Sequence, residues 1–211
     1  MRFRNVAGLC TVLALLLTLP ALASAQAAPE TSYGVKAGLN ISSLKVDFGD
    51  ASVTGDGRAG FLGGFWLARD FNPRGGLQIE ALLSQKGSEF GVEDLGFGDD
   101  SSFSLTYIEF PVLGRVNFPT SGVIVRALAG PTFGFHVNES IKVGGVKVDA
   151  DSVPLKTFDA GFAIAGAVEV RKFIIDARYT WGLTDINDGT DSDEPTVKNG
   201  TFSISFGYRF R

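Results

Sequence analysis

The strongest constraint in this chain is a period-two alternation of apolar and polar residues that returns eight times after residue 25. Near the start, apolar residues occupy every second position from Tyr33 to Ile41, and near the end they do so from Phe202 to Phe210. Successive side chains of a β-strand point to opposite faces, so each segment predicts a strand with one apolar face. The eight predicted strands lie within residues 32–42, 58–71, 77–84, 103–116, 125–136, 158–169, 173–182 and 201–210.

The links between these strands alternate in length. Short links follow the even strands, at residues 72–75, 117–122 and 171–172, and long polar links follow the odd strands, at about residues 46–57, 87–102, 138–157 and 184–199. After residue 25, no apolar run approaches the ~18 to 20 residues that a membrane-spanning helix needs. The sequence therefore predicts an all-β fold: an eight-stranded antiparallel transmembrane up-and-down β-barrel with short periplasmic turns and four long extracellular loops.

Two predicted strands are irregular. The Gly63-Gly64 pair leaves the side of Trp66 undecided. In the fourth strand the apolar positions switch from odd to even near Tyr107 and Ile108, which predicts a bulge. Pro111 supports an irregularity there, because proline cannot donate a ladder hydrogen bond.

The composition of the polar face favours a membrane barrel over a soluble one, whose apolar face would point inward. Small residues and charges of both signs share this face, as expected of a narrow interior filled by ion pairs. The predicted charge network of the lumen comprises Lys36, Arg58, Glu80, Glu109, Arg115, Arg126, Glu169, Asp176 and Arg178, and Arg209 lies on the same face. The other face carries aromatics near strand ends, Tyr107 among them, as membrane–water girdles do.

The first 25 residues have the pattern of a secretory signal peptide. Arg2 and Arg4 precede an apolar run that is too short to span a membrane, and Ala23-Ser24-Ala25 offers a cleavage site. The alternative is a retained anchor helix. Residues 26–211 then form one barrel domain in the outer membrane of a Gram-negative bacterium. The chain has 19 basic and 23 acidic residues, which argues against a nucleic-acid partner.

Four segments resemble the PorT-like family of outer-membrane β-barrel proteins. They are residues 33–40, the central Tyr-Ile-Glu-Phe-Pro-Val-Leu of residues 107–113, Ala-Gly-Pro at 129–131, and Asp-Ala-Arg-Tyr-Thr-Trp-Gly-Leu at 176–183. The resemblance implies an eight-stranded outer-membrane barrel over nearly all of residues 26–211. It implies little about activity, because most members have no assigned role.

The leading functional hypothesis is a structural or interaction protein whose long loops form the working surface. Three of the loops are acidic, and the simplest interpretation is that they are solvated. The functional interpretation is contact with a basic partner or with divalent cations, for which the candidates are Asp185, Asn187, Asp188, Asp191 and Asp193. The spacing of these residues does not match an EF-hand. The expected partners are outer-membrane lipid and another envelope protein, with no cofactor and with the oligomeric state left open.

Two further hypotheses are a small transport-associated pore and a lipid-modifying enzyme. Eight strands leave an interior that side chains fill, which disfavours a pore. An enzyme would depend on His136, the only histidine, with Glu139 and Ser140 nearby, but the spacing specifies no catalytic site. We therefore expect no enzymatic activity. Glu109 is expected to point inward to an arginine, with Pro111 fixing the bulge.

Overall fold

The computed structural model describes residues 30–47, 52–54, 56–90, 101–143, 146–148, 157–184 and 196–211. Ten strands follow one another in these ranges: β1 (Glu30–Asp47), β2 (Ser52–Thr54), β3 (Asp56–Asn72), β4 (Gly75–Phe90), β5 (Ser101–Thr120), β6 (Val123–Val143), β7 (Val146–Val148), β8 (Phe158–Val170), β9 (Phe173–Gly182) and β10 (Thr196–Arg209). None of the described residues forms a helix long and apolar enough to cross a membrane. The predicted signal peptide lies outside these ranges.

Eight of the strands form one closed antiparallel barrel. The hydrogen-bonded order is β1, β3, β4, β5, β6, β8, β9 and β10. The barrel closes because β10 pairs with β1, from Gly34 opposite Arg209 to Asp47 opposite Thr196. The two short strands extend the wall on the long-loop side, β2 against β1 and β7 against β6. The predicted eight-stranded barrel is therefore confirmed.

The barrel has its apolar face outside. Along β10, Phe202, Ile204 and Phe206 are 40, 53 and 55% exposed, whereas the alternating Thr201, Ser203 and Ser205 are buried in the lumen. A soluble barrel has the opposite polarity, and only a lipid environment favours this much exposed apolar surface. The arrangement is that of a barrel embedded in a membrane.

Aromatic contacts mark both edges of the apolar band. On the short-turn side, the ring of Phe210 lies 6.0 Å from that of Tyr33 and 5.6 Å from that of Tyr208. On the long-loop side, the ring of Phe158 lies 5.6 Å from that of Phe135, and Tyr179 and Trp181 are 4.7 Å apart. Aromatic rings at these two levels match the girdles of membrane–water interfaces.

The strands are longer on the long-loop side than the sequence predicts. β4 continues to Phe90, β5 begins at Ser101, and β6 continues to Val143, where loops were expected from residues 87 and 138. Outside the membrane the outer face need not be apolar. The alternation that reveals a strand in the sequence therefore fades while the backbone pairing continues.

The fourth predicted strand, β5, does not change phase. Tyr107 is 1% exposed and Leu105 and Leu113 are 0% exposed, so its odd residues face the lumen throughout. The placement of Tyr107 on the lipid-facing side was wrong. Because Leu105 and Tyr107 are apolar although they face the lumen, the sequence alone suggests that the apolar positions switch from odd to even.

The predicted irregularity lies at Tyr107, but the extra residue belongs to β6. Tyr107 pairs with His136 while Thr106 pairs with Asn138, which leaves Val137 as the bulged residue. Pro111 does not fix the bulge, because the pairing of β5 with β4 keeps one register on both sides of it.

Trp66, whose side the sequence left open, points into the lumen and is 4% exposed. It pairs across β1–β3 with Gly34. A Cβ atom at residue 34 would lie 2.8 Å from the indole ring, so the glycine gives the ring its space.

Candidate functional site

A four-residue ion-pair cluster occupies the middle of the lumen. It joins Lys36 of β1, Glu80 of β4, and Asp176 and Arg178 of β9, all of them buried. Arg178 binds both oxygens of Glu80, with Nη1 donating to Oε2 at 2.9 Å and Nη2 to Oε1 at 2.8 Å. Lys36 Nζ lies 3.1 Å from Glu80 Oε1 and 3.6 Å from Asp176 Oδ1. Two cations and two carboxylates therefore compensate one another in the interior.

The Glu80–Arg178 pair spans the lumen. β4 and β9 are four places apart in the ring of eight strands, so the two residues come from opposite walls. Gln78 Nε2 donates a further hydrogen bond to Glu80 Oε1 at 2.6 Å. Direct contact between opposite walls is the geometry expected of an eight-stranded barrel, whose interior holds side chains and little else.

A second group of charges lies in the periplasmic half of the lumen. Glu169 of β8 pairs with two arginines: Arg126 Nη1 lies 2.6 Å from its Oε2, and Arg209 Nη2 lies 2.8 Å from its Oε1. Arg209 also donates through Nη2 to the carbonyl oxygen of Arg171 at 3.1 Å. These contacts tie β6, β8 and β10 together at the turn side.

Asp70 and Arg115 continue this group across the barrel. Arg115 donates to Asp70 Oδ1 through Nε at 2.8 Å and makes a further close contact through Nη2 with Oδ2. Asn117 links this pair to Arg126, because its Nδ2 donates to Asp70 Oδ1 at 3.0 Å and its Oδ1 accepts from Arg126 Nε at 3.1 Å. The network is therefore continuous from β3 to β10.

A third group lies in the extracellular half. Lys86 Nζ is 2.5 Å from Glu109 Oε1 and 3.9 Å from Asp159 Oδ2. The same ammonium group lies 5.2 Å from the ring centre of Tyr107, within cation–π distance. Asn199 Nδ2 donates to Asp159 Oδ2 at 3.1 Å. Lys86 therefore bridges the two carboxylates of this group.

The cavities of the described barrel are small in its middle and larger at its periplasmic end. Two cavities near the central cluster have volumes of about 20 Å³ each, little more than one water molecule requires. At the periplasmic end a cavity of about 380 Å³ lies against Asp70, Arg115, Arg126 and Arg209. In the described residues the polar interior is open at the turn side and filled at the centre.

The structure places all nine residues of the predicted network on the lumenal side. Eight of them belong to the three groups above, and the ninth, Arg58, is partly exposed and donates to Ser104 Oγ at 2.9 Å. The expectation for Glu109 was wrong in one respect, because its partner is Lys86 and not an arginine.

Sequence reasoning did not assign Lys86, Asp70 or Asp159 to the network. Lys86 lies between the predicted strand, which ends at residue 84, and the predicted loop, which starts at residue 87, although it continues the alternation of Ser84 and Ser88. Asp70 lies on the same face of β3 as Trp66. The Gly63-Gly64 pair left the orientation of that face undecided, so Asp70 was not assigned to the lumen. Asp159 is the second residue of β8, on the polar face at the extracellular end, and could have been included from the alternation alone.

His136 lies at the bulge, beside the girdle. Its Nε2 is 3.0 Å from the carbonyl oxygen of Asn138, and its ring centre is 5.5 Å from that of Tyr107. The side chains of Glu139 and Ser140 are outside the described part, as are the loop cation candidates Asp185, Asn187, Asp188, Asp191 and Asp193. Within the described ranges, no group of three or more His, Cys, Asp or Glu residues could hold a metal ion.

Comparison with known proteins agrees with this architecture. Three similar solved structures are those of Ail of Yersinia pestis in complex with sucrose octasulfate, Neisserial surface protein A and the outer membrane protein OprG from Pseudomonas aeruginosa. Their sequence identities to this chain are 18, 16 and 13%, and their TM-scores are 0.46, 0.47 and 0.51, in that order. The matches cover 86, 86 and 85% of this chain and 99, 99 and 96% of the solved chains. At 13% identity the likeness to OprG shows the fold alone. No curated protein matches the sequence.

The sequence matches the family model described as outer membrane protein beta-barrel domain over residues 24–188. This match covers more than half of the chain, and the chain belongs to that family. The protein is a closed eight-stranded barrel of the outer membrane of a Gram-negative bacterium.

Proposed function

We propose that the protein is a non-enzymatic interaction barrel, with a filled lumen and a binding surface on its extracellular side. The observation that carries this proposal is the length of the wall beyond the membrane. A tilted strand crosses a membrane in ~9 to 11 residues, whereas β5 has 20 residues and β6 has 21. The excess lies on the long-loop side, where it supports a surface outside the lipid.

The projection is built of paired backbone. Beyond Ile108, which pairs with Phe135 at the girdle, β5 and β6 continue to the pair Ser102–Lys142. Six residues of β5, 102–107, therefore extend the ladder by about 20 Å along the strand at ~3.4 Å per residue. β4 pairs with β5 on one side of this projection and β7 pairs with β6 on the other. A hydrogen-bonded projection can hold loops in fixed positions, as binding surfaces need.

The filled lumen supports an interaction role over transport. Opposite walls meet in the Glu80–Arg178 pair, and the adjacent cavities have about 20 Å³ each. For the enzymatic alternative, the ring nitrogen Nε2 of His136 is close to a backbone oxygen, which favours a structural role for this residue. We also propose the narrower PorT-like membership, on the residues 107–113 that resemble it.

The interaction role is tested by cross-linking in intact cells through a photoreactive residue at the tip between β6 and β7. The acidic fourth loop is neutralised in one variant, with Asp185, Asp188, Asp191 and Asp193 changed to Asn. The control changes Lys142 and Lys147 to Gln, which removes positive charge from the neighbouring projection and leaves the acidic loop unchanged. We expect one reproducible cross-linked product, lost in the first variant and kept in the control. The same pattern in every variant, or no product at all, would contradict a role for the acidic loops.

A further inference from the structure

The periplasmic end of the described barrel carries an excess of exposed cations. Five cationic side chains are exposed there, against one exposed acidic side chain, Glu30. The cations are Arg69, Arg74, Arg171, Lys172 and Arg211, which we call the basic collar. The two other carboxylates of this end, Asp70 and Glu169, are bound to arginines inside the lumen. The collar therefore presents positive charge that the neighbouring protein does not neutralise.

The collar lies next to the lipid-facing surface. Arg69 is on the outer face of β3, between Leu67 at 41% and Phe71 at 47% exposure. Outward-facing residues of this kind belong at the level where lipid headgroups begin, since a charge within the apolar layer is costly. Long basic side chains reach from such positions to the headgroups.

The turn between β8 and β9 also lies next to the lipid-facing surface. Arg171 and Lys172 connect Val170, 46% exposed, to Phe173, 51% exposed. Lys172 Nζ donates to the carbonyl oxygen of Phe210 at 3.3 Å, and the amide of Arg209 donates to the carbonyl oxygen of Lys172 at 2.8 Å. The turn thus lies against the end of β10, beside Arg211.

The end of β10 lies in turn beside β1. The amide of Tyr33 donates to the carbonyl oxygen of Arg211 at 3.3 Å. Across β1, Thr31 pairs with Arg69 of β3. The collar therefore runs along consecutive strand ends, β8, β9, β10, β1 and β3, as one band outside the aromatic girdle formed by Tyr33, Tyr208 and Phe210.

We propose that the basic collar binds the phosphate groups of anionic phospholipids in the periplasmic leaflet. Guanidinium groups bind phosphate oxygens in pairs, and an ammonium group adds a point charge. The position beside lipid-facing residues selects a headgroup over an anion in solution, because the same molecule then also meets Phe71, Phe173 and Phe210. Bound headgroups would fix the depth of the barrel in the membrane.

The test compares lipid binding by the folded full barrel domain and two double variants. The first is Arg171→Gly with Lys172→Ser, which removes two collar cations. Arg171 has φ 59°, a left-handed conformation that glycine adopts without strain, and Gly-X is a favoured two-residue hairpin turn. The variant is therefore expected to fold at least as well as the unmodified chain.

The matched control is Lys45→Ser with Lys198→Ser. These two exposed lysines face each other across β1 and β10 at the opposite end of the barrel. The control removes the same net charge without touching the collar.

The measured quantity is the retention of phosphatidylglycerol relative to phosphatidylcholine, by native mass spectrometry after purification from an equimolar mixture. We expect the unmodified barrel and the control to prefer phosphatidylglycerol. In the collar variant we expect that preference to fall by about fivefold or more, the effect of one cation at a charged membrane surface. An unchanged preference in a folded collar variant, or none in the unmodified barrel, would overturn the proposal.

Two further conditions separate headgroups from other sources of phosphate and anions. Inorganic phosphate at tens of millimolar should lower the preference no more than sodium chloride of the same ionic strength does. If inorganic phosphate alone abolishes the preference, the collar is a site for free phosphate and the proposal is wrong. Binding of purified peptidoglycan fragments without any lipid preference would assign the collar to the cell wall and would also overturn it.

Discussion

Buried charge is the main feature of this barrel at the scale of single residues. Glu80 has a side chain with no exposed surface and contacts Lys36, Gln78 and Arg178. Removing an ion from water is costly, and the cost is offset only when partners satisfy the group on several sides. Glu80 is therefore central to the cluster, because both cations and the Gln78 amide contact this one carboxylate.

Glu80→Gln is expected to destabilise the barrel by about 3 to 5 kcal/mol, because it leaves Arg178 and Lys36 with Asp176 as their remaining carboxylate. The double variant Glu80→Gln with Arg178→Met should recover part of this loss, since it removes the uncompensated charge as well. The measurement is the free energy of unfolding in urea, in lipid vesicles. A single variant within about 0.5 kcal/mol of the unmodified barrel, the scatter of ordinary surface changes, would argue against a central role for the cluster.

At the scale of strands, the sequence predicts the spanning segments well and their extracellular ends poorly. Segments such as residues 175–182 and 202–210 keep strict alternation, because one face meets lipid and the other a polar lumen. Leu105, Tyr107 and Leu113 are exceptions to this alternation, because they are apolar residues that face the lumen. A narrow lumen also accepts apolar side chains. The partners of lumenal charges could not be predicted, because Glu80 and Arg178 are 98 residues apart and meet only through the closure of the ring.

The lipid-facing assignment of the strands predicts a depth-dependent cost. Leu39 is 66% exposed on the outer face of β1. It lies six residues beyond Tyr33 of the periplasmic girdle, about 15 Å into the membrane for a strand tilted by about 40°. Leu39→Arg should destabilise the barrel by about 2 to 4 kcal/mol. The measurement is again unfolding in urea from lipid vesicles.

Val170→Arg is the matched control for depth. Val170 is 46% exposed at the last position of β8, next to the periplasmic turn. An arginine there reaches the headgroups, so the expected cost is about 0 to 1 kcal/mol. Equal costs at residues 39 and 170 would show that Leu39 does not lie within the apolar layer.

At the scale of the whole molecule, the described barrel combines a filled centre with two different ends. The three ion-pair groups hold the walls together from the periplasmic to the extracellular side, and the larger cavity is confined to the periplasmic end. Beyond the membrane the paired wall of β4 to β7 continues, while the opposite end carries the basic collar. We propose that the lumen provides stability, that the extracellular projection contacts a partner and that the periplasmic rim contacts lipid.

The most direct test of this account is the ion conductance of the purified barrel in a planar lipid bilayer, with a wide porin as the positive control in the same membrane. Because Glu80 and Arg178 meet across the lumen, we expect the unmodified barrel to insert and to show no steady conductance steps. Reproducible steps that scale with salt concentration would contradict a filled lumen, and would make the protein a pore.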